Sequence, residues 1–113
     1  DAVAASLAEE TCASMMINMT AIDGIYSADP KKDPAAVKYD TLSPQGLIDL
    51  IMKEKLCAGS NMVIDLVAAK ITERSGIPLV VIDGRDPSLI CRALLEGAFG
   101  GTIVGDKVVM FPL

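Results

Sequence analysis

Residues 61–87 read NMVIDLVAAKITERSGIPLVVIDGRDP. Met62, Ile64, Leu66, Val67, Ala69 and Ile71 recur at the spacing of one helical face, which predicts a long helix over 61–75. Gly76 stands where a helix C-cap needs a residue that tolerates positive φ. The next six residues, IPLVVI over 77–82, are too few for a stable helix and show no polar alternation. Such a run predicts a strand buried on both faces, as strands of parallel sheets are. Asp83-Gly84-Arg85-Asp86-Pro87 then turns the chain and opens another helix over about 88–96. Helix, buried strand, turn and helix in succession indicate an α/β fold.

The flanking sequence extends the same alternation. Residues 1–11 (DAVAASLAEET) are rich in alanine, with Val3, Leu7 and Glu10 at helical spacing and Asp1 in an N-cap or first-turn position. SMMINM over 14–19 is a second short apolar strand. Asp23-Gly24 predicts a tight turn, Asp29-Pro30 stops regular structure, and 31–39 read as an exposed loop. Ser43-Pro44 starts a helix, which Leu47, Ile48, Leu50 and Ile51 carry to about Lys55 before Ala58-Gly59-Ser60 breaks it. Near the end, Thr102–Val104 and 107–111 read as strands joined by Gly105-Asp106, a closing antiparallel hairpin at one side of the sheet. The expected fold is a three-layer αβα sandwich with a mainly parallel sheet and a C-terminal hairpin, without internal repeats.

Composition narrows the function. The 113 residues carry 10 Lys plus Arg against 15 Asp plus Glu, a net charge of -5, which argues against nucleic-acid coating and polybasic membrane binding. There is no histidine, so a His general base, a His-based triad and a His metal ligand are excluded. Three cysteines, Cys12, Cys57 and Cys91, are an odd number without CxxC spacing; they read as small core residues in a cytosolic chain. No metal site is evident. Apolar residues make up 51% of the chain, yet only two Tyr and two Phe are aromatic. No run reaches the roughly 18–20 apolar residues needed to span a bilayer. The surplus must therefore be buried against protein, and the helix pattern starting at once from Asp1 reads as a piece of something longer that supplies part of that cover.

In an open α/β sheet, ligands gather where strands end at their carboxyl edge. The segment after the first strand, TAIDGIYSADPKK over 20–32, places there a hydroxyl (Thr20), an aromatic ring (Tyr26), carboxylates (Asp23, Asp29) and two ammonium groups (Lys31, Lys32). These types suit a nucleotide, with a planar face for the base, acceptors for ribose or amino groups, and cations for phosphate. They also suit an ordinary Gly/Asp/Pro loop with a solvated lysine pair. Gly97, Gly100 and Gly101 spell neither GxGxxG nor a P-loop and read as cap and turn glycines.

TAIDGIYSADPKKDP, AGSNMVIDLVAAKITERSGIPLVVIDGRDP and the later GTIV together resemble the C-terminal half of archaeal-type uridylate kinases of the amino-acid kinase superfamily. The DGIYSADP pattern is shared with aspartate kinases, whereas IDLVAAK followed by ITERSGI is closer to uridylate kinases. The resemblance covers the whole chain as the ATP-binding half of one kinase domain, and it implies γ-phosphoryl transfer from ATP to UMP, with Mg²⁺ accompanying ATP. It matches Thr20, Tyr26 and Asp29 to ATP-binding positions, Asp1 to an Asp that organises active-site lysines, and leaves Lys31 and Lys32 as candidate phosphate contacts. It also implies a homo-oligomer, commonly a hexamer, in the cytoplasm. The Gly-rich loops, main catalytic Lys and most UMP contacts belong to the other half. The alternatives are an aspartate or acetylglutamate kinase and a non-catalytic nucleotide- or oxyanion-binding relative.

Overall fold

A computed structural model describes residues 2–28, 31–55, 64–96 and 100–105. The two apolar runs become neighbouring strands. β1 (Met16–Thr20) pairs in parallel with β5 (Leu79–Asp83) over five rungs, from Met16↔Leu79 to Thr20↔Asp83. Among the described residues between them in sequence lie three two-residue strands, β2 (Ile25–Tyr26), β3 (Lys38–Tyr39) and β4 (Thr41–Leu42). β6 (Thr102–Val104) completes a sheet in the order β1-β5-β6-β4, and β2 and β3 form a separate antiparallel ribbon. Two of the three pairings in the larger sheet run parallel, and β5 with β6 is antiparallel.

The first strand of the expected side hairpin takes an interior place among the described strands. β6 lies between β5 and β4 in the sheet, its backbone paired antiparallel to β5 and parallel to β4. Its proposed mate at 107–111 lies outside the described residues. Asp1, Asp29 and the Ala58-Gly59-Ser60 break lie outside them too.

Among the described residues four helices cover the sheet: α1 (Ala2–Glu10), α2 (Pro44–Lys55), α3 (Leu66–Ser75) and α4 (Pro87–Glu96). The long helix expected from residue 61 begins at Leu66. Asp65 ends the preceding segment in an extended conformation, and its carboxylate accepts the Ala68 N–H at 2.9 Å, satisfying one of the orphan donors at the helix start. Ile64 is fully buried, so the apolar residue that mimicked helical period serves the core from a bend. At the other end Gly76 adopts φ 73 and donates its N–H to Thr72 and Glu73, as the sequence requires.

Alternation along β5 sends Leu79 and Val81 to one face and Val80 and Ile82 to the other, all four buried. Leu79 and Val81 join Met16 and Val104 in a core with Ala5 and Ala8 of α1, Leu47, Ile48 and Ile51 of α2, and Ala68 and Ala69 of α3. The alanines let α1 and α3 approach closely, and Arg74 clamps them with a bidentate pair to Glu9 at 2.6 and 3.0 Å. α4 packs against β5 and completes the third layer. Cys12 and Cys91 are exposed, contrary to the core role expected of them. Cys12 takes the left-handed turn (φ 54) at the end of α1, a position that holds it at the surface; Cys57 lies outside the described residues. Among the described residues no helix is long and apolar enough to cross a membrane.

Candidate nucleotide site

Parallel pairing sets the carboxyl ends of β1 and β5 side by side, so Thr20 and Asp83 are direct neighbours. The Gly84 N–H donates to the Thr20 carbonyl at 2.7 Å, joining the two turns that leave these strands. Gly84 is required by that approach: a Cβ there would lie 2.7 Å from the Cβ of Met19. Gly101 presses closer still, since an added Cβ would fall 1.7 Å from the Val81 carbonyl oxygen. The 100–102 segment is thereby seated on the carboxyl half of β5.

Over this edge hangs the β2–β3 ribbon, with Ile25 opposite Tyr39 and Tyr26 opposite Lys38. Ser27 N–H to Val37 C=O at 2.9 Å and Val37 N–H to Ser27 Oγ at 3.0 Å prolong it. Tyr26 donates its hydroxyl to Asp23 Oδ1 at 2.8 Å, and this bond to a carboxylate pushes the phenol's pKa upward. Lys38 Nζ donates to the Gly100 carbonyl at 2.9 Å and lies 3.9 Å from Asp23 Oδ2. At the end of β5, Arg85 forks onto Asp83 with contacts of 2.9 and 2.7 Å. Those bonds, with the Arg85 N–H, pull the Asp83 carboxyl down to about 2.

The structure therefore brings Thr20 and Tyr26 to one sheet edge. Lys31 and Lys32 stand exposed in the turn beyond Ser27, in the chain linking the two strands of the ribbon. Asp1 and Asp29 are among the residues not described. Sequence reasoning missed Thr102, Lys38 and Arg85. Lys38 and Arg85 sat in apparent loops, and only the strand pairing brings them to this edge. Thr102 carried a readable signal: a hydroxyl inside a three-residue strand of otherwise β-branched apolar residues must find partners if buried. Among the described residues no group of three or more Cys, Asp or Glu could hold a metal ion, and Asp23 and Asp83 are engaged by Tyr26, Lys38 and Arg85. The described residues do not make a metal cage on their own.

An aromatic ring on a short ribbon and two turns fused by a backbone hydrogen bond thus stand at the carboxyl edge of parallel strands, the place where open α/β sheets take ligands. The chain belongs to the amino acid kinase family, which its residues 1–83 match. Among relatives, it is 80% identical to the uridylate kinase of Methanocorpusculum labreanum over 113 residues, which is 100% of this chain and 48% of that protein. The crystal structure of uridylate kinase from Archaeoglobus fulgidus aligns with a TM-score of 0.76 at 50% identity, over 92% of this chain and 45% of that one. E. coli aspartokinase III in complex with aspartate and ADP aligns with a TM-score of 0.69 at 30% identity, over 94% of this chain and 20% of that one. The chain spans about half the length of the curated relatives it matches.

Proposed function

We propose that this chain is the ATP-binding half of a uridylate kinase, which transfers the γ-phosphoryl group of ATP to UMP to give UDP and ADP. The observation that carries the choice of acceptor is 80% identity, along the whole chain, to a protein named uridylate kinase, with 50% to a second one of solved structure. Tyr26 offers its ring to adenine, Thr20 and Asp29 contact the nucleotide, and Lys31 and Lys32 reach toward phosphate. Asp1, itself negative, cannot stabilise charge on the transferring group; it orients lysines supplied by the rest of the protein. Phosphoryl transfer asks the protein mainly for alignment and for cations around the equatorial oxygens. Mg²⁺ bound to ATP would supply charge screening of its phosphates. The working enzyme is a cytoplasmic homo-oligomer, a hexamer by family resemblance, completed by the other half of the same domain.

The test is an acceptor panel with full-length protein: ATP with UMP, aspartate or N-acetylglutamate, read as product formed. UDP with UMP alone supports the proposal. A phosphorylated amino acid would favour the aspartate or acetylglutamate kinase reading, and nucleotide binding without transfer to any acceptor would favour a non-catalytic relative.

A further inference from the structure

Thr102 is wholly buried in a central strand, where a hydroxyl without partners would be strongly unfavourable. Both of its capacities are used, and both on the ribbon. Its Oγ1 accepts the Ile25 N–H at 2.8 Å and donates to the Tyr39 carbonyl at 2.5 Å. Ile25 and Tyr39 face each other across the ribbon, so one side chain grips both strands at the same rung. The adjoining rung, Tyr26↔Lys38, is tied to the same segment through Lys38 Nζ and the Gly100 carbonyl. A two-stranded ribbon this short has little stability of its own. The setting of Tyr26 is imposed from the 100–102 segment.

From this arrangement we infer that Thr102 is a positioning residue for the nucleotide: it touches no substrate and holds the ribbon that presents Tyr26. The inference rests on the reading that the Tyr26 segment takes ATP. Gly24 supplies the matching shape, since a Cβ there would come within 2.8 Å of Thr102 Oγ1 and 3.0 Å of Lys38 Cδ. Valine at 102 would keep the volume and strand preference while leaving the Ile25 N–H and Tyr39 C=O unmet. The sheet ladder between β5 and β6 uses backbone groups and would survive the change. The loss therefore falls on the ribbon and on ATP, and spares the acceptor, whose contacts are assigned mainly to the other half of the domain.

The experiment compares Thr102→Val, Thr102→Ser and Tyr26→Ala with wild type in the full-length enzyme, reading KM for ATP, KM for UMP, kcat and thermal midpoint. Thr102→Val is expected to raise KM for ATP about tenfold, the scale of lost buried hydrogen bonds, and leave KM for UMP within about twofold. Thr102→Ser, which retains the hydroxyl, is expected to restore ATP binding. A wild-type KM for ATP in Thr102→Val, with Tyr26→Ala still impaired, overturns the inference and leaves the nucleotide reading standing. If neither variant moves KM for ATP, both fall. Parallel rises in both KM values with a lowered thermal midpoint and no rescue by serine also overturn it, as a merely structural role. Should Thr102→Val not fold, Gly24→Ala decides from the ribbon side: an ATP-selective rise in KM supports the positioning role and a wild-type value overturns it.

Discussion

Tyr26 makes two separable contributions, one from its ring and one from its hydroxyl. The hydroxyl is bonded to Asp23 and steadies the ring; the ring is the part proposed to meet the base. Tyr26→Ala is therefore expected to weaken ATP binding by roughly 1–3 kcal/mol through lost apolar and aromatic contact, and Tyr26→Phe by less, measured by titrating full-length protein with an ATP analogue. The Asp83–Arg85 pair gives a prediction in pH. A folded-state value of about 2 lies below that of an unfolded carboxyl, so the ionised form is favoured by folding. The pair's contribution is complete above the ordinary carboxyl range, near pH 4, and disappears as pH falls through about 2. Stability curves of wild type and Arg85→Gln should thus differ at pH 5 and converge near pH 2. The gap should narrow with added salt, because the Arg85 side chain is largely exposed.

At the scale of elements, α3 shows both what its sequence discloses and what it conceals. Gly76 was legible because a left-handed cap is a local demand. An added Cβ would meet nothing within 4 Å, so Gly76→Ala is expected to lose roughly 1–2 kcal/mol from backbone conformation alone, readable by urea unfolding. The start of the helix was concealed: Met62 and Ile64 continue the apolar period, and only the extended backbone at Asp65 shows where it breaks. Asp65→Ala should cost about 1 kcal/mol as a lost cap. β5 and the Ser43-Pro44 helix start were legible for the same local reasons. The two-residue strands β2, β3 and β4 were not, since they are too short to display a period. Nor was the central place of β6, because strand order is set by long-range pairing. At the candidate site, Tyr26 and Thr20 belong to one contiguous segment that the sequence displays, whereas the grip of Thr102 on Ile25 spans 77 residues and that of Lys38 on Gly100 spans 62.

For the molecule as a whole, two of the described cations beside the candidate edge are already committed to partners within the chain. Lys38 is bound to the Gly100 carbonyl beside Asp23, and Arg85 is held by both oxygens of Asp83. Each is neutralised or anchored where it stands, so neither is placed to gather the equatorial oxygens of a phosphoryl group in flight. The net charge of -5 adds a general repulsion toward a polyanionic nucleotide. A donor held at Tyr26, as proposed, also gains no rate unless the acceptor is kept in line with it. Val3 and Leu7, one turn apart on α1, are 82% and 62% exposed, which leaves apolar surface uncovered in the piece by itself. The 113-residue chain alone is accordingly expected to form no UDP from ATP and UMP under conditions where the full-length protein turns over. Measurable transfer by the purified piece would mean that the cations and the acceptor site are already present within it, against the division of labour proposed here.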